Sequence, residues 1–170
     1  PDITRTVTPA LSLPGCGSLL LVDLGNGRNR LGGSALAQAF GQVGNEAPDL
    51  DDVDLLGRAF RAVQELIAEG VVAAGHDRSD GGLITTLLEM AFAGDIGVDV
   101  DVACGGSSPL PALFAEELGL VIEVDEGDLP RAVACFERHG VACALVGRRA
   151  QRSSVSRLSS KSQWPIQLRR

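Results

Sequence analysis

The segment Gly75-His76-Asp77-Arg78-Ser79-Asp80-Gly81-Gly82-Leu83 constrains this chain more than any other. An apolar, strand-like run, Val71 to Ala74, enters it, and an amphipathic helical pattern leaves it. Acids, a hydroxyl and a pair of glycines therefore fall where a strand gives way to a helix. The first turn of a helix offers unpaired N–H groups and a partial positive charge, which suit a phosphate. A carboxylate nearby suits the Mg²⁺ that accompanies a nucleotide. The segment makes a nucleotide-phosphate site the first hypothesis.

The rest of the chain supplies a layered frame for such a junction. Ser18 to Leu24 reads as a strand, followed by turn chemistry in Gly25 to Arg30. Ser34 is placed to cap a short helix through Phe40. Asp52 to Glu69 is helical, with Leu56, Phe60, Val63 and Ile67 on one face and Gly70 as its stop. Leu83, Leu87, Met90 and Ala91 form the stripe of the next helix, ended by Gly94. Gly97 to Val102 alternates as a strand with one wet face. A short helix near Leu110 to Glu117, a strand over Leu118 to Val124, a helix over Leu129 to His139 and a strand over Val141 to Val146 complete the order. This alternation predicts an α/β (α+β layered) domain, a mixed sheet covered by helices.

Charge divides the chain sharply. Residues 1–147 carry eight basic and 22 acidic residues, a balance of −14, whereas residues 148–170 carry seven basic residues and no acid. An acidic body repels nucleic acid, and the basic tail has one aromatic, Trp164, and no stacking pattern. Nucleic acid is therefore excluded as a partner. No apolar stretch is long enough for a membrane span, so a membrane is excluded too. Cys16, Cys104, Cys135 and Cys143 form no C-x-x-C pair, which argues against a structural metal and for free thiols in a reducing cytoplasm. Pro1 in place of Met suggests a start inside a longer polypeptide, or processing. Domain organisation is read as one domain over 1–147 and an atypical, poorly ordered basic tail over 148–170.

Four ordered segments carry a family resemblance. They are Asp2 to Pro9, Arg30-Leu31-Gly32-Gly33-Ser34-Ala35-Leu36-Ala37-Gln38, the junction at 75–83 with Leu87 to Gly94 after it, and Leu113 to Val121. Together they closely resemble the phosphoribosylformylglycinamidine synthase family, the large glutamine amidotransferases of purine biosynthesis, across residues 1–147. The form of the junction resembles the C-terminal domain of the second of two aminoimidazole-ribonucleotide-synthetase-like halves. In that family the second half holds a nucleotide in an auxiliary, mainly structural site, and a glutaminase domain follows. The resemblance implies that Asp77 ligands Mg²⁺ and that Ser79 contacts the phosphates of ATP or ADP. It implies no catalytic residue in this chain. Partners implied are the nucleotide and the remaining domains of the same polypeptide, namely an N-terminal synthetase-like domain and the glutaminase. The activity implied is ATP- and glutamine-dependent conversion of formylglycinamide ribonucleotide to formylglycinamidine ribonucleotide, with the isolated piece inactive.

Each residue also has a plainer reading. Asp77 is a turn acid, Ser79 an N-cap, and Asp80 is expected to cap the helix. Gly81 and Gly82 serve close packing as well as backbone approach to an anion. His76 is expected to be a structural hydrogen-bonder rather than a base. His139 is expected only to meet a helix dipole. Arg78 stands where the resemblance calls for an apolar residue, leaving a phosphate contact or solvent as its destinations. Two other functions stay open: a kinase-like relative of the same superfamily, and a non-catalytic domain that serves interdomain packing.

Overall fold

The computed structural model describes residues 4–15, 17–102 and 108–150, and the backbone of 166–168. The elements run β1 (Gly17–Asp23), α1 (Ala35–Ala39), α2 (Val53–Ala68), β2 (Val72–Asp77), α3 (Gly82–Gly94), β3 (Val98–Val100), α4 (Leu110–Phe114), β4 (Gly119–Asp125), α5 (Leu129–Arg138), β5 (Cys143–Arg149) and β6 (Ile166–Leu168). They build one six-stranded sheet in the order β2-β4-β1-β5-β3-β6. Its pairs are antiparallel except β3 with β6, which is parallel, so the sheet is mixed as the sequence pattern requires.

Helices cover both faces of the sheet. On one face α2 and α5 pack over Leu20, Val22, Val72, Ile122 and Val124. On the other, α3 packs over Leu19, Ala74, Val98, Val121 and Val146. Leu83, Leu87 and Met90 of α3 are fully buried, and each contributes about 2 kcal/mol by leaving water.

The α2 face differs from its sequence reading. Leu55, Ala59, Ala62 and Leu66 form the buried stripe, one position before the expected set. Leu56 and Phe60 are exposed, and Val63 and Ile67 are half-buried. The alanines explain the rotation, because small side chains let the helix lie close to the sheet and to α5. The larger residues are turned aside to line an open apolar groove of about 430 Å³ that reaches Gly75, His76 and Asp77.

Strand β2 runs three residues beyond its expected end and carries His76 and Asp77 into the sheet. Strand β5 continues to Arg149, and β6 adds a strand within the basic tail. The expectation of poor order for the tail otherwise lies outside the described residues at 151–165 and 169–170, as do Cys16 and Cys104. Cys135 and Cys143 are free thiols.

The start of α3 rests on a glycine. Gly82 has φ +72°, and a Cβ there would lie 2.7 Å from the backbone of Phe114 at the end of α4. Both the backbone region and the approach of α3 to α4 exclude a side chain. Gly82→Ala should therefore lower unfolding free energy by about 2–4 kcal/mol, measured by urea denaturation.

Candidate functional site

The ends of three neighbouring strands meet at one corner of the sheet. Gly119 opens β4 and lies opposite Asp23 at the end of β1. On its other side, the Arg78 N–H donates to the Gly119 carbonyl at 2.8 Å, extending the β2 ladder by one residue. Arg78 and Asp23 thus flank β4 at the same level. A Cβ on Gly119 would sit 3.2 Å from Nη2 of Arg78, so the missing side chain leaves a passage for the guanidinium.

Arg78 uses that passage. It is 5% exposed, and its Nη2 donates to Asp23 Oδ1 at 2.8 Å and to the Leu118 carbonyl at 2.9 Å. Its Nε donates to the Glu117 carbonyl at 2.6 Å. Neither destination read from the sequence is correct: the residue faces the interior, where a buried cation needs acceptors on every side. Its neighbours Asp77 and Ser79 are both exposed. The inward turn of one residue presents the two beside it together.

Asp77 and Ser79 lie on the same exposed side of the junction. Burial works to raise the Asp77 carboxyl, but the donated Ser79 hydroxyl and the adjacent His76 outweigh it and hold the group below its ordinary 3.8. The Asp77 side chain is 75% exposed. An ionised carboxylate and a hydroxyl, close together and open to solvent, are the hard oxygen donors that Mg²⁺ and its phosphates require. Mg²⁺ commonly takes one or two protein carboxylates and completes its shell with phosphate and water, so this donor set fits it.

The start of α3 departs from the expected anion seat. Its N-cap is Gly81, with φ 84° and no side-chain cap, so Asp80 does not cap the helix. A left-handed residue at this position swings the Asp80 side chain away from the helix N–H groups. The Gly81 N–H donates to Glu116 Oε1 at 2.8 Å, and the same oxygen accepts from Ala35 N at the start of α1, also at 2.8 Å. The anion at this turn is therefore one of the chain's own carboxylates. Gly82 N–H closes the turn on the Ser79 carbonyl.

The following acid, Glu117, is fully buried and grips Arg30. Its Oε1 accepts from Arg30 Nε at 2.7 Å and its Oε2 from Arg30 Nη2 at 2.7 Å. Arg30 N–H adds a bond at 3.0 Å. Burial pushes the Glu117 carboxyl up, but these donors, with Arg78 behind them, hold it below its ordinary 4.5. The same bonds raise the Arg30 guanidinium further above its usual range.

His76 is a structural hydrogen-bonder, as expected. Its Nδ1 lies 2.9 Å from the Asp77 carbonyl and 3.2 Å from Asp77 Oδ1. Its Nε2 lies 3.0 Å from Glu89 Oε2, a titratable partner that the sequence reading missed. Thr86 Oγ1, one turn earlier on α3, donates to the Asp77 carbonyl at 3.1 Å. The 82/86/89 spacing on one helix face was the available signal. Asp23 and Gly119 carried no comparable signal, because their roles come from register between distant strands.

His139 ends α5 and pairs with Glu65 at 2.9 Å, beyond the dipole contact expected of it. Glu65, Cys135 and His139 bring one ligand atom each within 4.8 Å. Arg138 already neutralises Glu65, and burial raises the Cys135 thiol, so this set works as a tie between α2 and α5.

The model for the C-terminal domain of AIR synthase related proteins matches residues 17–157, and the chain belongs to that family. It is 54% identical over 148 residues to the probable phosphoribosylformylglycinamidine synthase, chloroplastic/mitochondrial, of Arabidopsis thaliana, covering 86% of this chain and 10% of that protein. It is 51% identical over 148 residues to phosphoribosylformylglycinamidine synthase of Homo sapiens, covering 86% and 11%. The chain thus spans about a tenth of the length of these relatives. Among solved structures it resembles Thermotoga maritima PurL complexed with FGAR, with TM-score 0.68 and 17% identity over 88% of this chain and 26% of that one. It also resembles E. coli HypE, a hydrogenase maturation protein, with TM-score 0.56 and 20% identity over 85% and 46%. These likenesses establish the fold. Among the described residues no helix is long and apolar enough to cross a membrane.

Two measurements test the corner. Arg78→Met leaves Asp23 and two carbonyls without their donor and should cost about 2–3 kcal/mol in urea denaturation. Glu117, with its carboxyl depressed in the folded state, contributes stability that is complete above pH 4.5, the unfolded value, and is lost as pH falls toward the folded one. As pH falls below 4.5 the stability of the parent should fall more steeply than that of Glu117→Gln.

Proposed function

We propose that this chain supplies one wall of a nucleotide–Mg²⁺ site within a phosphoribosylformylglycinamidine synthase. In this reading an Asp77 carboxylate oxygen is a metal ligand and the Ser79 hydroxyl contacts a phosphate of ATP or ADP. The observation that carries it is that these two side chains, both exposed, flank an inward-facing Arg78, with the Ser79 hydroxyl helping to hold the Asp77 carboxyl below its ordinary range. Solved relatives of this fold are PurL complexed with ATP, with ADP and with AMPPCP, which supports a nucleotide as the ligand.

The chemistry of the whole enzyme follows from what an amide lacks. An amide oxygen is a poor leaving group, so ATP phosphorylates it, and ammonia from glutamine then displaces phosphate to leave an amidine. Such transfer depends on position and charge neutralisation more than on covalent help from the protein. Mg²⁺, when bound, neutralises the phosphate charge. Asp77 would hold the cation through a carboxylate oxygen, and Ser79 would orient a phosphate oxygen beside it. The remaining domains of the polypeptide supply the other ligands, the amide substrate site and the glutaminase, so this chain alone is expected to lack ligase activity. Free thiols at Cys135 and Cys143 suit a reducing compartment such as the cytoplasm.

Mn²⁺·ADP in place of the magnesium complex reports directly on the site by paramagnetic broadening. With the 170-residue chain, amide signals of residues 76–82 should broaden first, and Asp77→Ala should abolish the effect. Broadening that spares this segment, or survives Asp77→Ala unchanged, contradicts the assignment.

A further inference from the structure

Glu116 lies outside the residues that face a nucleotide in the proposal above, yet one of its oxygens holds their turn. Oε1 accepts from the Gly81 N–H at 2.8 Å and from the Ala35 N–H at 2.8 Å, so a single carboxylate answers the first turns of α3 and α1. The Gly81 end reaches Ser79 through the turn itself, because the Gly82 N–H donates to the Ser79 carbonyl at 2.9 Å. The Ala35 end belongs to a firmly capped start, where Ser34 Oγ accepts from Ala37 N at 3.2 Å and donates to the Leu31 carbonyl at 2.7 Å. Glu116 is fixed from both sides in the chain: Ala115 before it is buried, and Glu117 after it is buried against Arg30.

We infer that Glu116 is a positioning residue that braces the Ser79–Gly82 turn against α1, and so couples phosphate contact at Ser79 to the segment Gly33–Gln38. The turn needs an outside anchor. Gly81 has φ 84° and Gly82 has φ 72°, so it is built from two glycines in the left-handed region, residues with wide backbone freedom. A hydrogen bond to an ionised acceptor is about twice as strong as a neutral one, and here it fixes the peptide between Asp80 and Gly81. Without it the glycine pair samples other conformations, and Ser79 moves with them. The brace also settles what meets a phosphate. Glu116 fills the anion position at the Gly81 N–H, which leaves the Ser79 hydroxyl rather than the helix N-terminus to meet a phosphate oxygen. A ligand that pulls on Ser79 displaces the turn, and the shared oxygen passes that displacement to Ala35. The inference rests on Ser79 as the phosphate contact, but the brace itself can be observed without any ligand.

The test uses the 170-residue chain and its Glu116→Ala, Glu116→Gln and Glu116→Asp variants. In ligand-free protein, hydrogen exchange reports on the Gly81 and Ala35 amides. With Mn²⁺·ADP, paramagnetic broadening at residues 76–82 gives affinity. With Mg²⁺·ADP, the shift of the Ala35 amide signal reports the coupling. Glu116→Ala is expected to speed exchange at both amides about tenfold, to weaken Mn²⁺·ADP about tenfold and to abolish the Ala35 shift. Glu116→Gln keeps an acceptor oxygen at the same reach and should stay within about threefold of the parent. Glu116→Asp keeps the charge on a shorter arm, so it should lose the Ala35 shift in a folded chain, and it decides the matter should the alanine variant unfold. The inference is overturned if the Ala35 shift survives Glu116→Ala or Glu116→Asp, or if Gln is as damaging as Ala. It is also overturned if Glu116→Ala speeds exchange yet leaves affinity within about twofold, the mark of a purely structural tie. If the parent shows no broadening at residues 76–82, the nucleotide reading fails by itself. The two exchange rates then decide whether Glu116 braces the turn, and unchanged rates in Glu116→Ala overturn that as well.

Discussion

The passage of one guanidinium across a glycine organises this corner of the protein. Arg78 can reach Asp23 only because β4 begins with Gly119, and only because register sets both residues level with that glycine. A buried cation is costly unless acceptors meet it, and here one carboxylate and two carbonyls take its Nε and Nη2 hydrogens. The consequence is directional. A chain that turns one residue inward at the end of a strand presents its neighbours outward, and those neighbours are Asp77 and Ser79.

Around that cation the chain spends two consecutive acids differently. Glu116 reaches out to join the first turns of α1 and α3, where backbone N–H groups converge. Glu117 points inward and clamps Arg30. Together they bind the loop after β1, the loop after β2 and the approach to β4 into one unit. The result is a rigid rim with an exposed carboxylate–hydroxyl pair on it, beside an apolar groove along α2. A rim is half of a site. The chain spans about a tenth of the length of its relatives.

Local patterns carried the fold well. The stops at Gly70 and Gly140, the cap at Ser34, and the order of helices and strands follow from short-range chemistry and are present in the structure, whereas α3 runs through Gly94 and is stopped by the left-handed Asp95. The candidate pair at 77 and 79 was legible for the same reason, since it lies within one junction. What was not legible depends on distance along the chain. The roles of Asp23 and Gly119 arise where strands separated by about a hundred residues come into register. The buried face of α2 was misread because volume outweighed hydrophobicity: alanines won the interior and Phe60 was left outside. Asp80 looked like a cap until the left-handed turn at Gly81 removed it from the helix axis.

The central claim is that Asp77 and Ser79 act as one outward-facing unit. A carbon-detected pH titration of the Asp77 carboxyl tests it most directly. The account predicts a midpoint below the ordinary 3.8 and a rise when Ser79 is changed to alanine. A midpoint at or above 3.8 that ignores Ser79→Ala would contradict it.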